Sequence, residues 1–108
     1  MLKIVFLCLG GISTSFLEEN AKKAFEKAGI EAEILAKSAS NLDAVVEGVD
    51  VVLLAPQVSY IKDDLIVECE QHNVLFAEIP FAVYGQMDGE GVLKIVMDLL
   101  NNESKQGE

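Results

Sequence analysis

The chain has 108 residues, 51% of them hydrophobic, which suits one domain with a real core and rules out a disordered polymer. No apolar run approaches the roughly 20 residues of a membrane span. The net charge of −10 argues against a nucleic-acid-binding surface. That charge is uneven: five lysines balance five glutamates over residues 1–40, and residues 41–108 carry the whole excess. All eight basic residues are lysine, so the chain contains no arginine. Two cysteines, Cys8 and Cys69, with no C-x-x-C pair and His72 as the sole histidine, fit a reducing cytosol and argue against a zinc or Ser-His-Asp site.

The start, MLKIVFLCLGG, is apolar but short and has no small-residue cleavage site after it. It reads as a first strand rather than a signal peptide. Lys3–Leu7 is continuously apolar, the mark of a strand buried on both faces. From Ser13 to Ala28 the period is helical: Leu17, Ala21, Ala24, Phe25 and Ala28 form one stripe, with Gly29 suited to the helix end. Glu31–Ala36 alternates as a second strand. Ser40 to Glu47 is a short helix with Ser40 or Asn41 as N-cap and Gly48 as the stop. Asp50–Leu54 is a third strand, closed by Pro56, and a helix follows from near Ser59 to Gln71. Val74–Ile79 is a fourth strand. After a loop, Val92, Leu93, Val96, Met97 and Leu100 mark a last helix, for which Asp88 and Gly89 provide a cap. The expected domain runs over residues 1–101, with 102–108 as a frayed polar tail.

Strands alternating with helices imply βαβ units with right-handed crossovers. The expected fold is α/β: a single-domain open four-stranded parallel sheet with helices on both faces. Ligands of such sheets bind beyond the carboxyl ends of the strands. Cys8 lies at such an end, as do Gln57 after the third strand and Tyr84 after the fourth.

Cys8 is followed by Leu9, Gly10, Gly11, Ile12, Ser13, Thr14 and Ser15. The glycines let the backbone turn and approach a ligand, and the hydroxyl run leads into a helix N-terminus with unpaired N–H groups. This is an anion nest, and a thiol beside it is biased toward the thiolate. A Walker A loop is excluded because the loop has no lysine, and the glycine spacing does not match a dinucleotide fingerprint. A cysteine phosphatase places arginine six positions after its nucleophile; here that position is Thr14. Without the bidentate clamp, the loop suits accepting and passing on a phosphoryl group better than hydrolysing a phosphoester. Cys69 falls inside an amphipathic helix and is expected in the core; His72 is expected on the surface.

Three motifs stand in order: CLGGISTS at 8–15, DVVLLAPQVSY at 50–60 and YGQMDGEGVLK at 84–94. On them the chain resembles enzyme IIB of the lactose/cellobiose (chitobiose) branch of the bacterial sugar phosphotransferase system, over about residues 2–101. The resemblance implies a fold similar to low-molecular-weight phosphatases. It implies that Cys8 is the phosphocysteine, with Leu9 to Ser15 as its phosphate loop. The phosphoryl group would come from a phosphohistidine of enzyme IIA. It would go to a cellobiose-, lactose- or chitobiose-like sugar held by the membrane permease, enzyme IIC. No cofactor or metal is expected. The protein would be cytoplasmic and meet the membrane through enzyme IIC. Gln57, Tyr60 and Tyr84 are candidate contacts near Cys8, each with an equal alternative as packing or turn chemistry. The loop departs from the family's common Ser-Ala-Gly-Met at Leu9-Gly10-Gly11-Ile12, and Pro80 stands where an acid is common. Three rivals stay open: a regulatory or orphan IIB-like module, a cysteine phosphatase or arsenate reductase, and a redox thiol pairing Cys8 with Cys69 or glutathione.

Overall fold

The computed structural model describes residues 1–8, 15–38 and 41–106, the side chains of Ser15 and residues 103–106 excepted. Four strands, β1 (Leu2–Cys8), β2 (Ala32–Ser38), β3 (Val51–Leu54) and β4 (Leu75–Glu78), form one parallel sheet in the order β2-β1-β3-β4. The expected α/β architecture is the observed one. The order explains the strand sequences. β1 and β3 are interior, and Ile4–Cys8 and Val51–Leu54 are buried throughout, so neither has a polar face. The outer strands differ: β2 leaves Leu35 exposed, and every residue of β4 is only half-buried. At the amino end, Lys3 N–H donates to Asp50 Oδ2 at 2.8 Å and Asp50 N–H donates to the Lys3 carbonyl at 2.9 Å, which pins the register of β1 on β3.

The helices are α1 (Ser15–Lys27), α2 (Leu42–Val46), α3 (Lys62–His72), α4 (Phe81–Gly85) and α5 (Gly89–Gln106). The chain steps one way from β1 to β2, then back past β1 to β3 and on to β4. Right-handed crossovers then set α1 on one face and α2 and α3 on the other. α1 packs on α5, and α2 on α3. On α1 the buried stripe is Leu17, Ala21, Ala24 and Phe25; Ala28 is exposed because the helix has already ended. Gly29, at φ +75°, closes it: Gly29 N–H bonds the Glu26 carbonyl and Ile30 N–H the Phe25 carbonyl. Asn73, at φ +58°, closes α3 in the same way, with Val74 N–H on the Cys69 carbonyl at 2.8 Å.

Asn41 caps α2, accepting from Ala44 N–H at 3.4 Å; Ser40, its rival for that place, lies outside the described residues. Asp88 caps α5, accepting from Gly91 N–H at 2.9 Å. Three expectations need correcting. The helix expected from Ser59 begins instead as a 3-10 segment, Pro56–Ile61, and turns α-helical only at Lys62; Val58, at φ −114°, kinks the 3-10 segment from within. The loop expected after β4 contains α4, entered from an extended Pro80. The last helix continues to Gln106, into the segment expected to fray.

One close approach holds α1 against α5. A Cβ at Gly89 would collide with the Asn20 backbone carbonyl, so only glycine permits the contact. Beside it, Asn20 Nδ2 donates to the Met87 carbonyl at 2.8 Å.

Candidate functional site

In an open parallel sheet the ligand crevice lies where successive crossovers leave in opposite directions. With the order β2-β1-β3-β4 that place is the carboxyl end of β1 beside β3. Cys8 is the last residue of β1 and is paired with Ser38 of β2. Its side chain is 1% exposed, and Sγ donates a weak hydrogen bond to the Lys37 carbonyl at 3.9 Å. The neighbouring strand ends are tied into one edge. Ala55 N–H bonds the Leu7 carbonyl at 3.0 Å, and Ile79 N–H bonds the Leu54 carbonyl at 2.8 Å.

α1 opens at Ser15, and the first turn of a helix carries partial positive charge. Leu9, Gly10, Gly11, Ile12, Ser13 and Thr14, the expected phosphate loop, lie outside the described residues. Gln57 and Tyr60 sit on the 3-10 turn just beyond β3, and both are exposed. Tyr84 is different: it belongs to α4 and is buried in the core cluster. That gives it a packing role.

Three aromatic rings stand in solvent on segments that follow strand ends. Phe16 is 72% exposed on the first turn of α1, Tyr60 73% on the turn after β3, and Phe81 76% at the start of α4. Sequence reasoning singled out only Tyr60. The signal for Phe16 was present, since it falls off the apolar stripe of its helix. Phe81 had none, because α4 itself was not foreseen. Between the ends of β3 and β4 is an open hollow of about 380 Å³, lined by Pro56, Ser59, Glu78, Ile79, Pro80 and Phe81. Lys62 Nζ pairs with Glu78 Oε1 across this rim at 3.4 Å.

Cys69 contrasts with Cys8. It lies on the inner side of α3, 2% exposed, and burial together with the charge of Glu68 pushes its thiol up to about 11. It is therefore protonated at neutral pH and a poor nucleophile. Neither cysteine is in a disulfide. At the start of α1, burial pushes the Glu18 carboxyl up, against the pull of Lys22. His72 is exposed, as expected. No helix among the described residues is long and apolar enough to cross a membrane.

These features define a class: a doubly wound α/β domain with a cysteine thiol at its switch point, immediately before a glycine- and hydroxyl-rich segment. Comparison with known proteins gives the family. Residues 3–95 match the model of the phosphotransferase-system lactose/cellobiose-specific IIB subunit, and the chain belongs to that family. It is 33% identical to the oligo-beta-mannoside-specific EIIB component of Bacillus subtilis over 103 residues, covering 95% of this chain and 100% of that protein. It is 35% identical to the cellobiose-specific EIIB component of Lactococcus lactis, covering 91% and 95%. The solution structure of the cellobiose-specific phosphotransferase IIB component of Borrelia burgdorferi superposes with a TM-score of 0.76 at 35% identity, covering 94% and 93%. The lactose-specific IIB domain of Streptococcus pneumoniae shares the fold, with a TM-score of 0.80 at 17% identity, covering 91% of this chain and 96% of that one. The chain is thus a IIB component of the lactose/cellobiose type, a sugar phosphotransferase domain.

Proposed function

We propose that residues 1–101 form a phosphoryl carrier in which Cys8 takes a phosphoryl group from enzyme IIA and gives it to a sugar. The observation that carries this reading is the position of Cys8, at the carboxyl end of an interior strand and at the topological switch point. In the first step the Cys8 thiolate attacks phosphorus in line. The S–P bond forms, the P–N bond to the donor histidine breaks, and the imidazole leaves with the electron pair. The N–H and hydroxyl groups of residues 9–15 hold the phosphoryl oxygens, and the positive end of α1 offsets part of the added charge. In the second step a hydroxyl of a cellobiose- or lactose-like sugar, held by enzyme IIC, attacks phosphorus. The O–P bond forms, the S–P bond breaks, the hydroxyl proton passes to water, and the thiolate is regenerated.

The absence of arginine supports transfer over hydrolysis. The protonated Cys69 weighs against the redox rival. The exposed rings of Phe16, Tyr60 and Phe81 suit docking of a partner over the site, and Gln57 stands on the same rim. Leu9 and Ile12 make the loop more apolar than is common in the family and bias it toward a matching partner surface. Carriage takes place in the cytoplasm, with the membrane reached through enzyme IIC.

The test is incubation with phosphoenolpyruvate, enzyme I, HPr and a panel of enzyme IIA proteins. Mass spectrometry should show one added phosphoryl group on Cys8, absent in Cys8→Ser. An unmodified wild-type chain across the panel would overturn the proposal, and turnover of an aryl phosphate without IIA would favour the phosphatase rival.

A further inference from the structure

Away from Cys8, α2 and α3 bring together three metal-ligating side chains. His72, in the last turn of α3, approaches Asp43, in the first turn of α2, with Nε2 3.1 Å from Oδ1. Glu68 lies one helical turn before His72, at the i, i+4 spacing that puts both on one face of α3. One ligand atom from each of the three lies within 4.8 Å of the other two.

We propose that Asp43, Glu68 and His72 form a binding site for a divalent transition ion of the zinc type, which clasps α2 to α3. The donor set is one imidazole nitrogen and two carboxylate oxygens, which suits zinc and its first-row neighbours better than calcium or magnesium. Ligand atoms about 2.0–2.1 Å from a tetrahedral zinc stand roughly 3.3 Å from one another. The Asp43–His72 pair, hydrogen-bonded to each other in the ion's absence, already has that spacing, and a Glu68 carboxylate oxygen lies within 4.8 Å of both. Two carboxylates neutralise the charge of the ion, and the surplus acid of residues 41–108 favours its approach. Asp43 and His72 are exposed and Glu68 half-buried, so water can fill the fourth position. Asp43 and His72 lie 29 residues apart in sequence, on different helices, so no linear metal motif announces the site.

The experiment uses the full chain without an affinity tag, in a Cys8→Ser background so that the strand-end thiol is not a competing ligand. Titration with Co²⁺ should give visible d–d absorption without a thiolate charge-transfer band, and Zn²⁺ should displace it. Zn²⁺ should also raise the melting temperature where equal Mg²⁺ does not. His72→Ala, Asp43→Asn and Glu68→Gln should each weaken binding at least about 10-fold. His72→Gln serves as a second test at that position. Binding that survives the His72 variants, a sulfur charge-transfer band, or equal stabilisation by Mg²⁺ would overturn the proposal. Because Cys8 is absent from the titrated protein, failure here leaves the phosphoryl-carrier reading standing.

Discussion

The carboxyl edge of the sheet and the helical flank each bury a cysteine to nearly the same depth, 1% exposed at Cys8 and 2% at Cys69. The edge turns its thiol toward a backbone carbonyl at a strand end. The flank holds its thiol on the inner side of α3, where burial and a neighbouring glutamate keep it protonated. Depth alone therefore says nothing about chemistry. What separates the two thiols is the ending of a strand at a switch point against the middle of a packed helix.

The contrast breaks most sharply at the thiols themselves. Cys8→Ser should cut phosphoryl acceptance from enzyme IIA by about 10³-fold or more while leaving the circular dichroism spectrum unchanged. Cys69→Ala should do the reverse: transfer within about 2-fold of wild type, and a stability loss of about 1–2 kcal/mol in urea. If both variants lose transfer equally, the division between edge and flank fails.

Gly89→Ala tests the opposite helical face, where α1 packs on α5, through its backbone. The new methyl would drive against the Asn20 carbonyl and should destabilise the fold by roughly 3 kcal/mol, seen as a lower urea midpoint. Asp88→Ala removes only the cap of α5 and should cost about 1 kcal/mol by the same measurement. The remaining test is in pH. Above pH 9 the thiol of an unfolded chain ionises, while folded Cys69 keeps its proton to about 11. The unfolded state then binds fewer protons, so stability present below pH 9 is lost as pH rises through that window. Subtracting the Cys69→Ala profile from the wild-type profile between pH 9 and 11 should isolate that slope, and parallel profiles would refute it.

Much of this division was legible in the residues. The unbroken apolar runs around Val5 and Val52 announced strands covered on both faces, and the structure places both inside the sheet. The end of β1 at Cys8 was legible because glycines follow it in the sequence. Short-range geometry was harder. FAVYG is too short to show a helical period, so α4 read as loop, and of the two equal readings of Tyr84 the packing one matches its burial in the core cluster. The 3-10 turn after Pro56 hid in the same way, since its sequence continues into a genuine helix. The pairing of His72 with Asp43 had no local signal, because it depends on how two crossover helices pack.

The weak bond from Cys8 Sγ to the Lys37 carbonyl also makes the protein its own spectroscopic probe. An S–H stretch falls in a part of the infrared where protein groups are otherwise transparent, and its frequency shifts with hydrogen bonding. This chain has two such oscillators, one lent to a carbonyl and one packed in a helix. Formation of the thiolate, or of the proposed phosphocysteine, would remove the Cys8 proton and silence that band. The second stays as an internal standard, so the protonation state of the Cys8 sulfur can be followed in solution without a label.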